Sequence, residues 1–167
     1  LSGFENTFDT VLCLNVLEYL EDPGYTVSIL RSVLKPAGTL IVLVPQCPSL
    51  FGTLDESLGH KRRYSSREAQ QMMESEGFTI EKMYNFNKAG TPPWMAYSRL
   101  FGSKSINKPV LKVFDKTVWI WRRLDVLMPW RGLSLIMVSR KRSGSGLPGD
   151  AHAGRESLGE ISTPNVN

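Results

Sequence analysis

Residues 55–66 read DESLGHKRRYSS and concentrate side chains able to do chemistry. Asp55 and Glu56 precede a histidine, the cations Lys61, Arg62 and Arg63, then Tyr64 and the pair Ser65 and Ser66. His60 titrates near neutrality when unperturbed, which suits a group that takes or returns a proton. Arg62 and Arg63 have the planar fork that grips a carboxylate or phosphate through two bonds. Tyr64 can donate a hydrogen bond or stack on a ring. A plainer alternative stands beside this reading. Charged runs are commonly solvated loops, in which case His60 only orders the loop and Arg62 pairs with Asp55 or Glu56.

The rest of the chain must position these residues. Its 167 residues suit one domain with a proper core. Hydrophobic residues make up 41% and charged residues 22%, as in ordinary globular proteins. A net charge of +4 with interspersed acids offers no stripe for nucleic acid. Two cysteines, Cys13 and Cys47, point to a reducing, cytoplasmic setting rather than a disulfide-stapled fold. His60 and His152 lie far apart, so no Cys/His metal cluster is expected. No apolar run reaches the length of a membrane span. The start lacks both the basic flank of a signal peptide and an initiating methionine, so Leu1 reads as a cut or incomplete start.

FDTVLCLNVLEYL opens with Asp9 and then runs apolar from Val11 to Leu14, which predicts a strand buried on both faces. Val27, Leu30, Val33 and Leu34 follow at helical spacing, and KPAG is expected to stop that helix. TLIVLVP predicts a second buried strand, so the order strand, helix, strand implies a parallel pair with a right-handed crossover. Residues 46–64 read as irregular, and Ser65 with Glu68 forms a capping box for the next helix, which Gly77 ends. FTIEKMYNF and LSLIMVSRK predict two more strands. Between them lies an insertion over 88–132, long for a plain connection and expected to hold two helices. Residues 143–167 are rich in Gly, Ser and Pro, lack aromatics, and read as a disordered tail after a domain over 1–142.

FDTVLCLNVLEYLEDP, LKPAGTLIVLVP and GHKRRYS together resemble class I S-adenosylmethionine-dependent methyltransferases. The likeness runs from Phe8 to Lys141 and is nearest to the small-molecule branch associated with sugar- or lipid-linked products. It implies an α/β, Rossmann-like sheet whose last strand is antiparallel and wedged between the fifth and sixth. On that template the chain supplies strands four to seven. The glycine-rich cofactor loop and the ribose-binding acid of the first strands have no counterpart, so the chain reads as the C-terminal part of such an enzyme.

Ligands of open α/β sheets bind beyond the carboxyl ends of the strands. The resemblance therefore assigns Leu14, Asn15 and Val16 to the cofactor, S-adenosylmethionine, although Leu14 and Val16 also fit as core. Glu18 and Tyr19 read as the start of the next helix. The family commonly has histidine at the position of Tyr19, so no acid–base role transfers there. The loop at His60 faces the same end. His60 and Tyr64 are then the catalytic candidates, and Arg62 and Arg63 bind a small-molecule substrate. The insertion caps the mouth. Its Trp94, Trp119 and Trp121 are packing residues in the first instance, and WIWRR also suits peripheral contact with a membrane. Two other functions remain open: a fragment of an NAD-dependent oxidoreductase, and a non-catalytic interaction or membrane-surface module.

Overall fold

The computed structural model describes residues 3–95 and 125–143, with the single positions 112, 116, 119, 120 and 123. Four strands form one sheet: β1 (Phe8–Leu14), β2 (Leu34–Pro45), β3 (Phe78–Phe86) and β4 (Ser134–Lys141). Their spatial order is β1-β2-β4-β3. β1 and β2 are parallel, whereas β4 runs antiparallel to both its neighbours. The last strand is thus wedged between the second and third, the arrangement the resemblance implied.

Helix α1 (Pro23–Val33) links β1 to β2. The Asp22 carboxylate accepts from the Tyr25 N–H at 2.9 Å, and Pro23 supplies a first helical residue with no donor to lose. Glu18 and Tyr19 do not begin this helix. They lie in a separate 3₁₀ turn, Leu17–Tyr19, because Asp22 and Pro23 set the helix start further on. KPAG is not a break before the strand either. Phe8 pairs with Leu34 and Thr10 already pairs with Thr39, so β2 absorbs KPAG as an irregularity. Ala37 accommodates it with φ 59°.

Between β2 and β3 lie α2 (Thr53–Ser57) and α3 (Ser66–Ser75). The stretch 46–64 is therefore less irregular than its composition suggests. The capping box at α3 is formed: Ser65 Oγ accepts from the Glu68 N–H at 3.1 Å, and Glu68 accepts from the Ser65 N–H at 2.8 Å. Gly77 follows with φ 82°, and a Cβ there would meet Arg31 Nε at 2.7 Å.

One face of the sheet forms the core. Leu40, Val42 and Val44 of β2 and Leu135 and Met137 of β4 pack with Val27 of α1 and Ala69 and Met73 of α3. The opposite face is only partly covered, with Ile41, Leu43, Ile136 and Val138 half-buried. Leu12 is 61% exposed and Leu14 49% on β1, and Tyr84 and Phe86 are exposed on β3 at the other edge of the sheet. The expectation that β1 is buried on both faces is corrected: only Cys13 is buried along it, because β1 is an edge strand with one covered face.

The insertion is described at its ends. Helix α4 spans Thr91–Met95, and residues 112, 116, 119, 120 and 123 are helical. The ends are tied together: the Ala89 N–H donates to Asp125 Oδ1 at 2.8 Å, and Trp130 Nε1 donates to the Lys88 carbonyl at 2.8 Å. Trp119 is exposed, while Trp121, His152 and the tail beyond Ser143 lie outside the described residues. Among the described residues no helix is long and apolar enough to cross a membrane.

Candidate functional site

Three strands end in a residue with positive φ. These are Asn15 after β1 (52°), Cys47 after β2 (65°) and Asn87 after β3 (58°). Each reverses the chain at the same end of the sheet, where β4 begins. Gly132 lets β4's approach pass beside β3, since a Cβ there would lie 2.1 Å from the Phe86 carbonyl oxygen. These turns frame a cavity of about 280 Å³ walled by Asn15, Glu18, Tyr19, Pro45, Leu58, His60, Arg63, Asn87, Trp94, Leu133 and Ser134.

Asp55 organises one wall. Its side chain has no exposed surface. Oδ1 accepts from Arg63 Nε at 2.8 Å and lies 3.0 Å from His60 Nδ1, and Oδ2 accepts from the Gly52 N–H at 3.2 Å. A carboxylate accepts, so His60 Nδ1 is the donor in this contact. The His60 amide also donates to the Asp55 carbonyl at 2.9 Å, which closes the loop on itself. Arg63 is buried; its Nη1 donates to the Gln46 carbonyl at 2.9 Å, and its guanidinium lies 4.7 Å from the centre of the Trp94 ring. Tyr19 meets the His60 ring edge-on at 5.0 Å.

Glu18 lines the same cavity and is treated differently. It is 1% exposed, yet neither carboxylate oxygen has a hydrogen-bond partner. Burial pushes its carboxyl above the usual value, and its own backbone amide, His60 and Arg63 pull it back part of the way. Its carbonyl accepts from the Lys61 N–H at 2.8 Å, which fixes the turn against the loop.

The structure brings Asn15, His60 and Arg63 together at one cavity. Leu14 and Val16 flank Asn15 but face outward, at 49% and 42% exposure. Tyr64 lies outside the cavity wall: its hydroxyl donates to the Leu17 carbonyl at 3.0 Å, and burial raises it to about 12. A phenol so held is a strut between the loop and the turn. Arg62 also points elsewhere, its Nη2 donating to the Glu21 carbonyl at 3.1 Å. The partner of Asp55 is Arg63 rather than Arg62. Glu18 and Trp94 are among the cavity residues to which sequence reasoning gave no part in the site. The signal for Glu18 was an acid set inside the apolar run VLEYL.

The cofactor implied by the resemblance fits these residues on one side. Leu14 and Val16 offer exposed apolar surface beside Asn15, at the carboxyl end of an open strand. Among the described residues no group of His, Cys, Asp and Glu is placed to hold a metal ion.

Comparison with known proteins accords with this geometry. Residues 2–42, which include β1, α1 and most of β2, match a family model described as a methyltransferase domain. No curated protein matches the chain. Its structure is similar to a candidate methyltransferase of Bacillus halodurans, with 17% identity and a TM-score of 0.53 over 86% of this chain and 74% of that one. It is similar to an S-adenosylmethionine-dependent methyltransferase of Mesorhizobium loti, with 14% identity and a TM-score of 0.51 over 82% and 64%. The 4+2 cyclase SpnF shares the fold at 20% identity and a TM-score of 0.51, over 86% and 54%. The chain thus spans about half to three quarters of these proteins' lengths. At such identities the neighbours show the fold, and a fold alone does not assign a reaction. The family match adds what the fold cannot: over residues 2–42 this chain is similar to a methyltransferase domain.

Proposed function

We propose that this chain is the C-terminal part of a methyltransferase domain, corresponding to strands four to seven of the family sheet, and that its cavity holds a small-molecule acceptor. The uncovered apolar face of β1 supports the first statement, since parallel sheets are ordinarily covered on both sides. The observation that carries the second is His60, held from behind by Asp55, in the wall of a cavity beside Asn15.

When bound, S-adenosylmethionine supplies an electrophilic methyl group. The chain's own residues supply position and proton transfer. Asn15, Leu14 and Val16 form the cofactor side. His60 Nε2 takes the proton from the acceptor, while Asp55 holds Nδ1–H and stabilises the imidazolium that results. Arg63 pairs with Asp55 and, with Trp94, closes the wall. Leu58 and Leu133 exclude water from the acceptor. The acceptor belongs to the small molecules, with sugar- or lipid-linked alcohols and amines as the first class to try. The test is transfer of a labelled methyl group from S-adenosylmethionine to such a panel by a protein that carries the whole domain. Transfer that His60→Ala reduces supports the reading. Transfer that is indifferent to His60 removes the base from it, and no transfer to any acceptor sinks it.

A further inference from the structure

The buried polar groups around the cavity are not all matched. Arg63 is matched by Asp55, so that pair contributes no net charge. His60 gives its Nδ1–H to Asp55 rather than to Glu18. Glu18, which lines the same cavity, is left buried with neither carboxyl oxygen hydrogen-bonded to a neighbouring residue. Buried charges in proteins are ordinarily paired or hydrogen-bonded, because stripping water from an ion without a replacement is costly. Two acceptor oxygens with no donor among the described residues therefore mark a place where a guest supplies the donor. The opposite choice, an anionic guest on Arg63, would bring a second negative charge beside Glu18 and compete with Asp55 for the guanidinium.

We propose that Glu18 selects the acceptor: its carboxylate takes a hydrogen bond from a hydroxyl or ammonium group of the guest, so the cavity admits donor-bearing molecules and rejects carboxylates and phosphates. This reverses the assignment of Arg63 as an anion clamp. It deepens the methyl-transfer reading and rests on it only for naming the guest an acceptor. The charge selection itself is a binding property and can be measured without turnover.

Three probes of one shape separate the cases: benzylamine, benzyl alcohol and benzoate, each titrated into the full chain with the Asn15 and His60 amide signals followed by NMR. The aromatic and apolar walls at Trp94, Tyr19 and Leu58 suit the shared ring. Benzylamine or benzyl alcohol should bind about ten- to hundredfold more tightly than benzoate. Amine over alcohol would identify an ammonium guest, and the reverse a hydroxyl. Glu18→Gln should bring the ratio close to one, and Glu18→Asp, which keeps the charge, should preserve its direction. Benzoate binding as tightly as the others, a ratio unchanged in Glu18→Gln, or no saturable binding of either donor overturns the proposal. A chain that shows the preference within a domain that transfers no methyl group would sink the enzyme reading and leave Glu18 as a binding residue.

Discussion

The loop from Gly52 to Ser66 and the turn from Leu17 to Tyr19 each bury a carboxylate against one cavity, and they differ in how that charge is met. Asp55 receives a guanidinium, an imidazole and a backbone amide. Glu18 receives no hydrogen bond from any neighbouring residue at either oxygen. A satisfied buried charge fixes a conformation, since removing one partner strands the others. An unsatisfied one weakens the fold that holds it, and such residues concentrate where a ligand completes the set. The loop is the rigid half of the site, and the turn is the half that waits for a guest.

This contrast breaks first at Asp55. Asp55→Ala strands Arg63 in the core and frees His60, so urea denaturation should show a loss of about 3–5 kcal/mol. A loss below about 1 kcal/mol would mean that the loop is not built around this carboxylate.

His60→Ala in the complete domain should lower turnover about a hundredfold or more while leaving cofactor affinity nearly unchanged. It should also remove the limb of the pH profile that reports deprotonation of the imidazole. A profile that keeps this limb would return His60 to a loop-ordering role.

Glu18→Gln should act in the opposite sense on stability, raising it by about 1 kcal/mol at neutral pH. The pH dependence sharpens this expectation. The folded carboxyl lies above its ordinary value of 4.5, so the wild type is unpenalised below that value, where both states are protonated. The penalty grows as pH rises from 4.5 and is complete above the raised folded value. The stability advantage of Glu18→Gln should therefore be absent in acid and appear on the way to neutrality. Denaturation curves at several pH values give the answer, and an advantage that shrinks with rising pH would contradict the burial argument.

Tyr64→Phe is the smallest effect. It removes one buried hydrogen bond, to the Leu17 carbonyl, and should cost about 0.5–1.5 kcal/mol. Turnover should fall only as far as stability does. A larger loss of turnover would restore Tyr64 to the catalytic group.

Much of the fold was legible in the chain because the signals for it are local. The third strand was expected over FTIEKMYNF and spans Phe78–Phe86, since alternation, Gly77 and the following turn lie within a few residues. The Ser65–Glu68 capping box needs only a spacing of three, which any helix start satisfies in the same way. The cluster at 55–66 was also visible as a candidate, because its residue types announce themselves. What the sequence by itself determined, then, was the order of elements, the caps and the loop that carries His60. Tertiary structure decided the rest. Neighbouring Arg62 and Arg63 have equal chemistry, and only the path of the loop sends one to the Glu21 carbonyl and the other to Asp55. Tyr64 became a strut because Leu17, 47 residues earlier, presents a carbonyl to it. The apolar run at β1 reads as doubly buried until the sheet order leaves it at an edge. Glu18 looked like a helix-start acid because a sequence shows what a side chain is and cannot show which partners fail to reach it. Partnership across tens of residues depends on how strands and loops meet at one end of the sheet, and there the cavity and its unmatched charge were made.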